Sequence, residues 1–264
     1  MTDNPAKLAE SVNAFYDEAM FGPRLLKYYA GSEYTNFGYW EAGTADAKTA
    51  CDALMARLLG FIPDKKGQVL DVACGKGETT RYIARHYDEA DINAINISER
   101  QLARGREIVP GARFQMMDAT QLEFPDASFD AVVCVEAAFH FNTRERFLRE
   151  ACRVLKPGGY LVLSDILVDD SAEREHARRV PDNYVPDLDV YRRLFEEAGL
   201  VIDHLEDATE ACWKNHYRHI TRYAHEAYLH GDFTLEALQH ALRPYYERVR
   251  YIQHYVLVGA RKQP

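Results

Sequence analysis

Seven short apolar runs punctuate the chain: "QVLDVA" (68–73), "DINAIN" (91–96), "ARFQMM" (112–117), "FDAVVCVE" (129–136), "GYLVLSD" (159–165), "GLVIDHLED" (199–207) and "VRYIQHYVLVGA" (249–260). The first five are near-continuous, the pattern of strands buried on both faces. Helical patterns lie between them. In the clearest, Phe147, Leu148, Ala151, Cys152 and Leu155 fall three or four apart and share one face. Asn142 or Thr143 can cap its start, Glu145 suits the first turn, and Pro157-Gly158-Gly159 is expected to end it. Strand–helix alternation implies right-handed βαβ crossovers and a parallel sheet. The last run follows helices and a long excursion, so it is expected to join as an antiparallel strand. The fold class expected is α/β, a doubly wound, mostly parallel seven-stranded sheet with an antiparallel last strand and helical lid and cap segments.

Three regions of a single domain follow: a helical lid over 1–65, a ligand-binding core over 66–165 and a cap of helices and late strands over 166–264. Of the 264 residues, 47% are hydrophobic and 28% charged, as in ordinary soluble domains. No apolar run approaches the ~18 residues of a membrane span. The opening "MTDNPAKLAE" lacks the basic start and apolar stretch of a secretory signal. Five scattered cysteines without a Cys-x-x-Cys read as free thiols in a reducing cytoplasm. The net charge of -9 disfavours a polyanionic partner, so no nucleic acid is expected. The oligomeric state is not readable from the sequence, and a homodimer stays open.

The chemistry concentrates at "LDVACGKGETT" (70–80), where the first apolar run breaks into a glycine turn that opens a helix. At Gly75 and Gly77 a side chain would block close approach of a ligand to the backbone. Gly-x-Gly alone is not diagnostic. The dinucleotide fingerprint, however, wants a third Gly or Ala where this chain has Thr80. Asp71 just ahead of the turn would repel a pyrophosphate and suits a ligand with a positive centre.

"VLDVACGKGETT" resembles motif I of the class I S-adenosylmethionine-dependent methyltransferases. "NISERQLARGRE", "MMDATQLEFPDASFDAVVCVEAAFHF" and "FLREACRVLKPGGYLVLSD" resemble the later motifs, in order, over about residues 60–168. "NFGYW" upstream looks like a segment of the branch that acts on small natural products, sugars and quinone-type or sterol-type substrates. The resemblance implies a Rossmann-like sheet, S-adenosylmethionine as methyl donor with S-adenosylhomocysteine as product, and a small-molecule acceptor.

It also implies residue roles. Asp71, Ala73, Cys74, Gly75 and Gly77 would line the methionine and ribose parts. At the end of the second strand most members place an acid for the ribose hydroxyls; here it is Asn96, followed by Ile97, with Gln101 placed to help. An amide still accepts and donates but loses charge-assisted strength. Ser98 is placed to cap the next helix. Met117 would pack on the adenine, Asp118 would accept its amino group, and Ala119 follows. Glu136, Ala137 and Ala138 would form the floor under the methionine.

His140, just beyond, could take a proton from an acceptor hydroxyl. Asp165, at the end of "LVLSD", could orient His140 or touch substrate. Only three of the 17 tyrosines (Tyr82, Tyr87 and Tyr160) fall within 66–165, so the flanks should form an aromatic chamber. Tyr16, Tyr34, Phe37 and Tyr39 are the lid candidates, each weighed against ordinary packing. His216-x-x-His219 and His225 have no cysteine or carboxylate cluster beside them, and no metal is expected. The reading is methyl transfer, foremost to oxygen. Carbon or nitrogen acceptors stay open, as do a non-methylating use such as cyclisation and a nicotinamide-dependent dehydrogenase.

Overall fold

The computed structural model describes residues 13, 21, 23–169, 181–249 and 251–264. Seven strands form one sheet: β1 (Val69–Val72), β2 (Ile92–Asn96), β3 (Arg113–Met116), β4 (Phe129–Val135), β5 (Leu155–Val168), β6 (Leu200–Asp207) and β7 (Ile252–Lys262). Their order is β3-β2-β1-β4-β5-β7-β6. β1 pairs in parallel with β2 and β4, and β4 with β5, whereas β7 runs antiparallel to both β5 and β6.

Every residue of β1 and β2 is buried, as two covered faces require. Neighbouring residues serve opposite faces. Val69, Val133 and Val162 pack in one apolar cluster with Leu54 and Leu58 of α2 (Ala47–Gly60). Leu70, Val132 and Leu161 pack in another, with Phe147 of α5 (Arg144–Val154) and Phe195 of α6 (Leu188–Glu197). On the first face, α1 (Pro23–Tyr28) contributes Tyr28 and α7 (Asn215–Leu229) Ile220. Ala224 of α7 packs instead with Leu238 and Leu242 of α8 (Leu235–Arg248).

Chain direction reverses outward from β1 and β4, so the crevice at their carboxyl ends is the topological switch point where such sheets hold ligands. α3 (Glu78–Ile83) follows β1, and α4 (Glu99–Ile108) follows β2, capped as expected by Ser98, whose side chain accepts the Gln101 N–H.

Two local expectations are corrected. α5 stops at Val154, ahead of Pro157, because Leu155 turns extended and pairs with Phe129. Sheet pairing takes that residue from the helix. Thr143 holds the N-cap position of α5 without a side-chain cap bond.

Candidate functional site

The first wall of the crevice is the turn after β1. Ala73 and Gly75 sit at positive φ (57° and 55°) and are half-buried. A left-handed alanine is uncommon and marks a conformation that the surrounding fold enforces. A Cβ on Gly75 would meet only the Gln101 side-chain oxygen, at 4.0 Å, so the space beside it is open. Gly77 differs. A Cβ there would come within 2.8 Å of the Gly105 Cα, so this glycine lets α3 pack on α4. The Cys74 side chain is buried with Ala94, Leu102 and Phe114.

Asp71 is 1% exposed. Its Oδ2 accepts the hydroxyls of Thr79 (2.8 Å) and Thr80 (2.7 Å). Among the described residues its Oδ1, which is buried, has no hydrogen-bond partner. Burial pushes the carboxyl up to about 6, against which the two threonine bonds work. An unpaired buried carboxylate oxygen costs free energy until a donor meets it, and a cationic donor meets it best.

Asn96 and Gln101 are hydrogen-bonded neighbours. Asn96 Nδ2 donates to Gln101 Oε1 at 2.8 Å and lies 3.4 Å from the Gly75 carbonyl. Ile97 is half-buried, and its carbonyl accepts from Asn13. Beyond β3, Asp118 is exposed and its Oδ1 caps its own turn, accepting the Thr120 N–H at 2.7 Å. Met117 and Ala119 are buried in the core cluster, and the Met117 sulfur accepts the Glu123 N–H.

The second wall is the segment after β4. Glu136 sits at φ 50°. Its Oε1 accepts the Phe37 N–H (2.7 Å) and the Tyr255 hydroxyl (2.6 Å). The expected floor residue is thus also a tether for the upstream chain. Ala137 and Ala138 are buried. His140 ends the short 3-10 turn Ala138–His140, half-buried, its ring 4.2 Å from that of Phe139.

Asp165 is where the sequence reading is corrected. It does not end β5, which continues to Val168; it is paired inside the sheet with Val256 and is 0% exposed. Its carboxylate accepts from Arg144 Nε (2.7 Å) and the Tyr191 hydroxyl (3.1 Å), so it orients neither His140 nor substrate directly.

A strap over Glu33–Phe37 joins the two walls. Glu33 meets Lys76 of the glycine turn (3.3 Å) and Arg104 (2.6 Å), while its N–H donates to Glu78 (2.9 Å). Burial works to raise the Glu33 carboxyl, but Arg104 and Lys76 outweigh it and hold it below the usual range. Lys76 itself is pushed down by burial. The far end of the strap is the Phe37–Glu136 bond.

The lid candidates divide accordingly. Phe37 stacks beside Trp213 and His216 and forms the aromatic wall. Tyr34 and Tyr39 are structural, bonded to Asp52 and Glu206. Tyr16 lies outside the described residues. His216 stacks on Phe37 and His219 on Trp40 (3.9 Å).

Sequence reasoning missed Glu33, Lys76, Arg144 and Asn183. A lysine inside the glycine turn, and an arginine opening an otherwise amphipathic helix, were signals for two of them. Asn183 carries no local signal.

Comparison with known proteins fits this geometry. Residues 70–163 match the family model described as a methyltransferase domain. The chain is 34% identical over 220 residues to 27-O-demethylrifamycin SV methyltransferase of Amycolatopsis mediterranei (strain S699), covering 78% of each chain. The chain belongs to the class I S-adenosylmethionine-dependent methyltransferase family. This methyltransferase also shares its fold with the [4+2]-cyclase SpnF (TM-score 0.73, 24% identity, 97% of each chain). Geranyl diphosphate C-methyltransferase from Streptomyces coelicolor A3(2), solved with S-adenosyl-L-homocysteine, superposes with a TM-score of 0.72 at 15% identity over 99% of each chain. S-adenosylmethionine is the donor, and the crevice fits it: the unpaired Asp71 oxygen faces a need for a cation, and the space beside Gly75 is open. No helix among the described residues is long and apolar enough to cross a membrane.

Proposed function

We propose that this methyltransferase transfers a methyl group to a hydroxyl of a small natural-product acceptor, with His140 as the general base. The observation that carries the reading is the place of His140, on the turn leaving β4 at the same sheet edge as Asp71 and Gly75. The likeness to an enzyme named for O-methylation of a rifamycin intermediate supports oxygen as the acceptor atom.

In this reading Asp71 holds the donor's ammonium, Asn96 and Gln101 its ribose, and Asp118, with its second oxygen, the adenine amino group. When bound, S-adenosylmethionine supplies a methyl carbon activated by the sulfonium. His140 accepts the hydroxyl proton as the acceptor oxygen gains its methyl. Phe37, Trp213 and Tyr255, all buried, exclude water from the far side of the chamber. The acidic net charge of -9 suits a small acceptor rather than nucleic acid. All five cysteines are free, which fits a reducing cytoplasm.

The test is His140→Asn with 27-O-demethylrifamycin SV and related hydroxylated acceptors as probes. Product gaining one methylene in mass is read by mass spectrometry, and donor affinity by calorimetry. Turnover should fall about 10²–10⁴-fold with donor affinity unchanged. Full turnover in this variant would end the assignment.

A further inference from the structure

The turn that carries His140 is clasped by one side chain from a distant part of the chain. Asn183 closes the short 3-10 turn Pro181–Asn183 and is 4% exposed. Its side-chain N–H donates to the Ala138 carbonyl at 3.1 Å. Its side-chain oxygen accepts the backbone N–H of Arg144 at 2.6 Å. These two contacts lie on either side of His140 in the chain. The amide can stand only one way round, because the flipped form would set N–H against N–H and carbonyl against carbonyl.

The clasp is itself held rigid. Arg144 is 5% exposed. Its Nη1 donates to the Asn183 carbonyl, its Nε to Asp165 Oδ2 at 2.7 Å, and its Nη2 to the Ile166 carbonyl at 2.9 Å. Asp165 and Ile166 lie within β5, the strand that pairs with β4. A buried guanidinium bonded to a carboxylate and two carbonyls is well satisfied, and such a network specifies one geometry. The chain from sheet to turn therefore runs Asp165, Arg144, Asn183, Ala138. Through it Asp165 is linked to the turn that carries His140.

We infer that Asn183 is a positioning residue: it fixes the turn Ala138–Arg144 and thereby sets the direction of the His140 imidazole at the sheet edge. For catalysis this rests on the reading of His140 as the base. A proton acceptor must stand within hydrogen-bond reach of the hydroxyl, and a small misplacement costs rate steeply.

Asn183→Asp tests it. The carboxylate still accepts the Arg144 N–H, but its other oxygen now opposes the Ala138 carbonyl, so only the Ala138 side of the clasp is broken. Asn183→Ser, smaller and neutral, is the second variant should the first fail to fold. The primary readout is the His140 ring resonance in 15N-histidine-labelled full-length protein with S-adenosylhomocysteine, assigned by its loss in His140→Asn. In a folded variant the resonance and its titration midpoint should move. On any acceptor the wild type methylates, kcat should fall about 10-fold or more, with donor affinity kept and the acid limb of the kcat profile displaced. The double variant Asn183→Asp/His140→Asn should lose no more than His140→Asn alone. An unmoved His140 resonance in a folded Asn183 variant would overturn the inference. A moved resonance combined with full turnover in His140→Asn would leave the clasp standing and remove the base role instead.

Discussion

At the β1 end of the crevice, the polar groups are neighbours in sequence: Asp71, Thr79 and Thr80 form one hydrogen-bonded set. At the β4 end they come from far apart. Glu136 joins Phe37 and Tyr255, and the His140 turn is clasped by Asn183 and Arg144. The first arrangement is local, short-range and dictated by one strand–turn–helix unit. The second exists only once the lid, the core and the cap have assembled. On the proposed reading, the donor is held by a local unit of this chain and the acceptor side is built from long-range contacts.

The sharpest way to break this contrast lies in the glycine turn. Gly77→Ala forces a Cβ to within 2.8 Å of the Gly105 backbone at a φ of 92°. Overpacking and left-handed strain together should cost about 2–4 kcal/mol of stability, read by denaturant unfolding. Gly75→Ala, with open space around it, should cost only about 1 kcal/mol for its left-handed backbone yet weaken donor binding. Equal losses of stability at the two positions would mean that the turn does not separate a packing glycine from a ligand glycine.

Next in size is Asp71. Replacing it by Asn removes the proposed partner of the donor's ammonium, and calorimetry should show affinity about 10–100-fold weaker. The same change should stabilise the donor-free protein at neutral pH. Burial raises the native Asp71 carboxyl to about 6 from 3.8. A raised acid favours the fold while protonated, so that contribution is complete below the unfolded value and is lost as pH rises through the folded one. The window is pH 4–6, and Asp71→Asn should abolish the change. Donor affinity in the wild type should move oppositely, falling up to about tenfold per pH unit below 6 as the carboxyl protonates. A flat affinity profile from pH 5 to 8 would remove Asp71 from the donor site.

The legible and illegible parts of the molecule follow the same division. All seven apolar runs became strands, but only β1 and β2 are buried throughout. The expectation of two covered faces is corrected for β3, which lies at the sheet edge and exposes Arg113, Gln115 and Met116. Asp71 stood out as an acid just ahead of the glycine turn, whereas Asn96 and Gln101 were singled out by the family resemblance. Asp165 was misplaced because the end of a strand depends on its partner: β7 pairs with β5 as far as Val168 and draws the carboxylate inside the sheet. Lys76 was visible in the glycine turn, but its partner Glu33 stands 43 positions upstream with nothing local to mark it. Asn183 could not have been found at all, since both its partners lie about 40 residues away.

The smallest predicted effect tests the upstream lid directly. Tyr34 had the composition of a chamber residue: aromatic, upstream and beside the "NFGYW" segment. The structure turns it away. It is 2% exposed, and its hydroxyl donates to Asp52 Oδ1 at 3.0 Å, on the helix behind the strap. Asp52 Oδ2 already receives Lys48 at 2.9 Å and Arg85 at 3.3 Å, so losing the phenol leaves that carboxylate paired. Tyr34→Phe should therefore cost about 0.5–1.5 kcal/mol of stability, the worth of one hydrogen bond, and leave donor affinity and turnover within about twofold. Phe37→Ala, only three residues on, should by contrast open the aromatic wall and lower turnover while Tyr34 stays in place. If Tyr34→Phe instead cut turnover tenfold in a protein of normal stability, its hydroxyl would belong to the chamber. The strap would then carry chemistry as well as position, and the division between a chemical core and an assembling lid would fail at its simplest point.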